Sequence, residues 1–272
     1  MNLIKKYAAI FFSCFLIVYS STSAFAQCEV KNTAFKSGEA ISYDLYFNWK
    51  FVWMKAGAAS MVTTASSWQG EPAYRSVLLC TGSKRADNFF VLRDTLTSIV
   101  GKNLEPLYYR KGSYEGKNYT VDEAYYSYKN GVSNVRQRRF KKGKYINSSF
   151  DDKSCIYDML SILAYARSLN IQNYKEGQKM YVPMATGKRV DVETLTYRGK
   201  KNIKAENDTT YRSLVFEVAS NKDGKKLITF YITDDENHLP IRLDLYLNFG
   251  SAKAMLQSVR GYRHPLTSIV SR

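Results

Sequence analysis

In VDEAYYSYKNGVSNVRQRRF, residues 121–140, two runs of alternating side chains flank a predicted turn. Apolar or aromatic side chains alternate with polar ones through 121–128 and again through 132–140, which is the period of half-buried β-strands. Asn130-Gly131 lies between the two runs, and both residues tolerate the positive φ that a two-residue hairpin turn demands. The stretch therefore predicts an antiparallel hairpin.

The same alternation continues on both sides of this hairpin. Further strands are predicted at 41–49, 56–64, 74–80, 92–100, 179–183, 190–198, 211–219, 225–232 and 241–248, with a closing strand through 255–259. No strand–helix–strand alternation appears, so parallel pairing is not expected. About a dozen strands predict a mainly β fold, a curved antiparallel sheet or open barrel.

One segment has helical rather than strand periodicity. Over 155–169 the apolar residues Ile156, Met159, Leu160 and Leu163 recur at the spacing of one helix face. Ser154 precedes them as a predicted N-cap. The sequence predicts one amphipathic helix over 155–169 whose apolar face packs on the sheet, since no second helix is available to cover it.

The first 26 residues have the three parts of a secretory signal peptide. Two lysines precede an apolar run at 8–18, and Ala24 and Ala26 fit the small-residue pattern before a cleavage site. Gln27 stands where lipid attachment to Cys28 would need a small residue, so lipidation is not expected. We predict a signal peptide at 1–26, and a single β-rich domain at 27–272, with two sheet halves around the helix as the alternative division. The location would be periplasmic or otherwise extracytoplasmic, with no transmembrane segment in the mature chain.

Three cysteines follow the predicted cleavage site: Cys28, Cys80 and Cys155. An odd number in an exported protein allows one disulfide and one remaining thiol. The sequence does not choose the pair. No Cys-x-x-Cys motif is present, which argues against thioredoxin-like redox activity and against structural zinc.

The chain is strongly basic, with a formal net charge of +16. Such a charge favours anionic partners such as lipid head groups or acidic polysaccharide, while export disfavours nucleic acid. Residues 124–150 contain seven basic residues and no acid, and aromatic residues interleave with them. The predicted ligand-binding residues are Arg136, Arg138, Arg139, Lys141 and Lys142, together with Leu160 and Leu163 of the helix. A strand edge protected from aggregation by its cations is the alternative explanation of this stretch.

Motifs of catalysis are missing from the sequence. There is no His-Glu-x-x-His zinc site, no nucleophile elbow and no phosphate-binding loop. His238 and His264 both adjoin prolines in turn-like surroundings. Asp234 to Asn237 concentrates oxygen atoms, but a solvated turn explains the run better than a calcium site does. We therefore expect no enzyme activity, no catalytic residue, no metal and no cofactor.

Several short stretches, in order along the chain, resemble the exported bacterial proteins of domain-of-unknown-function family 3108. They are Phe35-Lys-Ser-Gly-Glu39, Ile41-Ser-Tyr43, Lys55-Ala-Gly-Ala58, Asp87-Asn-Phe-Phe90 with Arg93-Asp94, Tyr157-Asp-Met-Leu-Ser161 with Ala166-Arg167, and Thr233-Asp-Asp235 through Pro240 to Phe249-Gly-Ser251. The resemblance implies a fold similar to periplasmic lipoprotein carriers, in which a curved antiparallel sheet surrounds an apolar cavity. It supplies no catalytic residues. The chain departs from those carriers in having one clear helix where they have several.

Two functional hypotheses follow from these features. The first is a non-enzymatic cell-envelope binding protein that holds a lipid or another anionic amphiphile in an apolar cavity closed by the helix. The alternative is an interaction or scaffold protein of the envelope that binds a protein or a glycan through exposed strands.

Overall fold

The structure is a computed structural model that describes residues 28, 30–49, 52–88, 90–171, 173–247 and 250–271. The predicted signal peptide lies outside these residues. In the described part of the chain, no helix has both the length and the apolar composition needed to cross a bilayer.

The described residues contain fifteen strands and two short helices. The strands are β1 Glu39–Trp49, β2 Val52–Trp68, β3 Glu71–Gly82, β4 Leu92–Gly101, β5 Pro106–Glu115, β6 Asn118–Lys129, β7 Val132–Lys141, β8 Lys144–Asp152, β9 Lys179–Ala185, β10 Val190–Lys204, β11 Thr210–Ser220, β12 Lys226–Thr233, β13 Pro240–Leu247, β14 Gly250–Arg260 and β15 Ile269–Ser271. The helices are α1 Lys84–Asp87 and α2 Ser161–Arg167. The prediction of a mainly β fold is confirmed.

All strands belong to one antiparallel sheet, in the order β8-β7-β6-β5-β4-β3-β2-β1-β14-β13-β12-β11-β10-β9, with β15 added to β11. Within the runs β1–β8 and β9–β14, neighbours along the chain pair, as in a meander. Strand β1 also pairs with β14 and so joins the two runs. The edge strands β8 and β9 do not pair with each other, so the sheet is an open barrel.

The segment after β8 spans the gap between the two edges. The Tyr157 N–H donates to the Pro183 carbonyl at 2.9 Å, and the Ala185 N–H donates to the Tyr157 carbonyl at 2.8 Å. A disulfide between Cys28 and Cys155 holds the same segment. This settles the pairing that the sequence left open, and Cys80 is the free thiol.

These contacts explain why the helix is shorter than predicted. Tyr157 is hydrogen-bonded to β9 and Cys155 is joined to Cys28, so this segment is not helical, and α2 begins only at Ser161. Asp158 replaces the predicted cap: its Oδ1 accepts the N–H groups of Leu160 and Ser161, each at 2.9 Å. Ser154 instead donates to the Asp152 carboxylate, outside the helix. The predicted start at Cys155 and the cap at Ser154 were wrong.

The helical segment packs into the barrel interior. Ile156, Leu160 and Leu163 are buried and join the largest core cluster, beside Met61, Leu96 and Tyr109 from the sheet. Met159 was predicted on the same face but is 43 % exposed. It precedes the first helical turn, so the helical spacing does not apply to it.

Candidate ligand-binding face

An open cleft lies on the outside of strands β5–β8. Three consecutive hairpins place alternate residues of these strands on the outer side, because successive side chains of a strand point to opposite faces. A cleft of about 280 Å³ lies among them. We call it the outer cleft, and it is lined by Arg110, Tyr119, Val121, Glu123, Arg138, Phe140 and Tyr145.

Strand register brings these side chains into rows. Glu123 lies opposite Arg110 on one side and Arg138 on the other. In the next row, Phe140 lies opposite both Val121 and Tyr145. The Phe140 and Tyr145 rings are 5.1 Å apart between centroids. Val121, Phe140 and Tyr145 thus form an apolar row beside the row of charged groups.

Arginine dominates the charge of this face. The Arg138 guanidinium carbon lies 4.0 Å from the centroid of the Tyr145 ring, a cation–π distance. A hydrogen bond with Tyr145 is the main cause that raises the pKa of Arg138. Among the described side chains, neither Arg110, Arg136 nor Arg138 forms a salt bridge closer than 4.0 Å. These three cations are therefore available to an anionic ligand.

Glu123, the acid of the cleft, is occupied by tyrosine hydroxyls. Its Oε1 accepts a hydrogen bond from Tyr108 at 3.0 Å and a longer one from Tyr125 at 3.4 Å. Burial and the Glu123 hydrogen bond raise the pKa of Tyr108, so this phenol keeps its proton. Since both tyrosines hold the carboxylate, Glu123 does not neutralise the arginines through a direct contact.

Aromatic rings extend the face beyond the cleft. Trp68 stacks on Tyr108 at 5.5 Å with an interplanar angle of 16°, and Tyr108 lies 5.1 Å from Tyr125. Arg136 is the partner of Tyr125 on the next strand. Flat rings and guanidinium groups thus alternate along the outer surface.

The structure separates the residues that were predicted to bind a ligand together. Arg136 and Arg138 lie on the outer face, and both are exposed. Arg139 points to the inner face, where it forms a bidentate salt bridge with Asp122 at 2.5 and 2.7 Å. Its guanidinium also donates to the Thr186 carbonyl at 3.0 Å. Adjacent strand residues point to opposite faces, so Arg138 and Arg139 are not part of one site.

The remaining predicted residues lie elsewhere. Lys141 and Lys142 are exposed at the β7–β8 turn. Leu160 and Leu163 line a void of only about 10 Å³ between the helix and the sheet, beside Phe35, Met61 and Arg167. A void of this size holds about one water molecule.

The inner face near Arg139 is polar and filled. Gly187 of the β9–β10 turn donates its N–H to Gln137 Oε1 at 2.7 Å, and a Cβ added to Gly187 would meet the Asp122 side chain at 2.5 Å. On neighbouring strands, burial, with the Asp94 carboxylate, raises the pKa of the Cys80 thiol to about 11. This cysteine is therefore a poor nucleophile.

No cluster of three or more His, Cys, Asp or Glu side chains suited to a metal ion occurs in the described part of the chain. Asp234 forms ion pairs with Lys200 and Arg212. Asp235 accepts hydrogen bonds from Thr233, Ser268 and the Asn237 N–H. Both carboxylates thus serve to hold the turn.

Sequence reasoning missed Arg110, Tyr119, Val121 and Glu123 of the outer cleft. Arg110 lies on β5 and the cleft's Tyr145 on β8, two strands that were not predicted. β8 is exposed on both faces and so lacks the apolar alternation that marks a strand. The hairpin at Asn130-Gly131 contained a usable signal, since a two-residue turn after Lys129 places Glu123 opposite Arg138.

Comparison with known proteins gives one solved structure of similar fold. Among curated proteins, none matches the sequence. A β-barrel-like protein of domain-of-unknown-function family DUF1849 from Brucella abortus has a TM-score of 0.58 and 12 % identity, over 85 % of this chain and 100 % of that chain. A Bacteroides fragilis protein, described as a candidate exported protein with a YmcC-like fold, gives a TM-score of 0.31 and 10 % identity, over 85 % of this chain and 99 % of that chain.

The family comparison covers most of the described barrel. The model of the family "Protein of unknown function (DUF3108)" matches residues 42–257, from β1 to β14. The short stretches between Phe35 and Ser251 resemble the same family. The chain belongs to family DUF3108.

Proposed function

We propose that this protein is a non-enzymatic recognition module of the cell envelope that binds an acidic glycan in the outer cleft. The observation that supports this most directly is the stacked Arg138–Tyr145 pair beside Phe140, with Arg110 across the same cleft. The planar guanidinium group of arginine can donate two parallel hydrogen bonds to a carboxylate or phosphate group. The rings offer flat apolar surfaces for the C–H face of a sugar.

The size and shape of the cleft favour a small polar unit over a lipid chain. At about 280 Å³ the cleft lies just below the usual range for small-molecule pockets, which is roughly 300–1,000 Å³. It is open along the sheet surface, so a polymer could continue beyond it over Tyr108, Tyr125 and Arg136. Of the two partners considered for exposed strands, a protein or a glycan, we therefore favour a glycan.

Lipid binding in the interior has less support from the geometry. The void lined by Leu160 and Leu163 is about 10 Å³, so an acyl chain could enter only if α2 moved out of the barrel. Titration with a fluorescent fatty acid tests this alternative, and we expect no saturable binding.

Titration with oligogalacturonate, against a neutral maltooligosaccharide of equal length, tests the glycan proposal. We expect saturable binding of the acidic oligomer that weakens between 0.1 and 1 M salt, where the Debye length falls from about 10 to about 3 Å. Arg138→Glu should weaken binding at least tenfold at low salt. Tyr145→Ala should weaken it at both salt concentrations, because the lost contact is with the ring.

Lys201→Glu is the matched control, since it makes the same change in net charge at an exposed position on β10. If Lys201→Glu weakens binding as much as Arg138→Glu does, the interaction reflects net charge and not the outer cleft. Equal affinity for the neutral oligomer would also contradict an acidic ligand.

Location in the envelope depends on removal of residues 1–26. The small residues Ala24 and Ala26, and Gln27 before Cys28, support cleavage after Ala26 without lipid attachment. The intact mass of protein from the native host is the test. A chain that retains 1–26, or that carries a lipid on Cys28, would contradict this part of the proposal.

A further inference from the structure

Two neighbouring strand pairs, β1–β2 and β13–β14, end side by side at one end of the barrel. Strand β1 pairs with β14 as far as Asn48 and Ser251, and the β13–β14 ladder ends at Leu247 and Gly250. Strand β3 pairs with β2 only from Gly57 onward, so the first residues of β2 extend past this neighbour. On the other side, β12 pairs with β13 from Ile228 and Leu245 and begins at Lys226, level with Leu247. The first residues of β2 are therefore uncovered on the β3 side.

Large apolar side chains lie at this end of β2 and β13. Val52 is 60 % exposed, Trp53 39 %, Met54 43 % and Leu247 38 %. We call these four residues the hairpin tip. Trp53 lies on the opposite face of β2 from Val52 and Met54, because successive side chains of a strand alternate. Single exposed apolar residues are ordinary on protein surfaces, but several together at one strand end often mark a contact site.

Two lysines lie near the hairpin tip. Lys253 Nζ lies 3.8 Å from the centroid of the Trp53 ring. Lys55 follows Met54 and forms an ion pair with Asp44. Asp244 is the partner of Lys253 in the β13–β14 ladder, and it forms an ion pair with Arg242. Since Asp244 is paired with Arg242, Lys253 supplies positive charge beside the apolar end.

We infer that the hairpin tip docks on the surface of an anionic lipid bilayer, with Trp53 at head-group depth and Lys253 beside the lipid phosphates. Tryptophan and lysine are the residues that prefer the membrane interface, and anionic lipids attract nearby lysines. Neither the outer cleft nor its ligand enters this inference, because the hairpin tip lies on different strands.

The dimensions favour a lipid surface over a second copy of the chain. The four side chains expose on the order of 300 Å² together, judged from the size of such side chains. A stable protein interface needs about 800 Å² from each partner. A small apolar end can enter the boundary between head groups and acyl chains without a large flat area.

Co-sedimentation with vesicles of phosphatidylglycerol and phosphatidylethanolamine tests the inference. We expect wild-type protein to sediment with these vesicles and to remain in solution with vesicles of phosphatidylcholine alone. The Trp53→Ser/Met54→Ser double variant should lose at least tenfold in partitioning. Val62→Ser/Leu79→Ser is the matched control, because it removes two exposed apolar side chains from β2 and β3, away from the tip.

Tryptophan fluorescence would test whether Trp53 contacts the lipid. Trp49→Phe and Trp68→Phe together leave Trp53 as the single tryptophan. Its emission should shift to the blue on addition of anionic vesicles, and brominated lipid should quench it.

Three results would overturn the inference. They are an absence of partitioning with every vesicle, equal losses in the tip and control variants, and self-association without lipid that the tip variant abolishes. The last result would identify a second copy of the chain as the occupant. A circular dichroism spectrum like that of wild type establishes that each variant is folded.

Discussion

Arg167, at the end of α2, donates two hydrogen bonds to the carboxylate of Glu39, at the start of β1, over 2.6 and 2.8 Å. Both side chains are buried, with 2 % and 0 % of their surface exposed. The guanidinium also donates to the Asn237 carbonyl and lies 5.2 Å from the Phe35 ring. One arginine therefore connects the helix to the first strand, the β12–β13 turn and the N-terminal segment.

Removing one partner of this pair should be costly, because the other charge would stay buried without a counter-ion. We expect Glu39→Gln and Arg167→Met each to lower the free energy of unfolding by about 3–5 kcal/mol. The double variant should be less destabilised than the sum of the two. Urea unfolding of all four proteins measures the coupling, and strict additivity would show that the pair does not act as a unit.

The docking of the helix can be tested with two neighbouring residues of similar size. Leu160 is 6 % exposed and Met159 is 43 % exposed. Leu160→Ala should destabilise the protein by about 2–5 kcal/mol, as other buried large-to-small substitutions do. Met159→Ala should change stability by about 0.5 kcal/mol or less, as is usual for surface positions. Similar values for the two variants in denaturant melts would contradict the packing described here.

The disulfide joins residues separated by 127 positions. A cross-link over so long a loop restricts the unfolded chain, so we expect the Cys28→Ala/Cys155→Ala variant to lose about 2–5 kcal/mol. Thermal melts with and without reductant provide the same comparison in wild-type protein. Cys80→Ser is the control: it should leave the response to reductant unchanged. A melting temperature insensitive to reductant would contradict the bridge.

We expect ionisation of the Glu193 carboxyl to lower the stability of the protein as pH rises. Burial, with Asp191 and Asp223 nearby, raises its pKa from 4.5 to about 7. Its Oε2 is buried and has no hydrogen-bond partner among the described residues. A raised folded-state pKa means that the folded protein binds the proton more tightly than the unfolded chain does. The stability contributed by protonated Glu193 is therefore complete below about pH 4.5 and is lost as pH rises through about 7.

The test of this prediction is urea unfolding of wild type and Glu193→Gln between pH 4.5 and 8. Because part of the side chain is screened by solvent, we expect a difference on the order of 1 kcal/mol above pH 7 and little difference at pH 4.5. Burial also raises the pKa of Asp158, so some slope should remain in the variant. Glu71→Gln, at an exposed position, is the control. If Glu193→Gln is no more stable than wild type at pH 8, the carboxyl is not destabilising there.

Local patterns predicted the features that depend on neighbouring residues. The hairpin at Asn130-Gly131 formed as expected, with φ of 53° and 72° at the two turn residues. Alternation found twelve of the fifteen strands in the described part of the chain. β5, β8 and β15 were missed because their sequences lack a clear alternation or are very short. Helical spacing located the helix but not its first turn.

Patterns along the chain were sufficient to predict an antiparallel sheet, most of its strands and the basic charge of the β6–β8 region. Contacts between distant segments established that β1 pairs with β14, that Cys28 pairs with Cys155 and that the helix begins at Ser161. The tertiary structure also separated Arg138 from Arg139, and brought Arg110 to the same cleft as Tyr145. Alternation, turns and charge depend on residues a few positions apart, whereas each of these outcomes depends on which distant strands and side chains meet when the barrel curls.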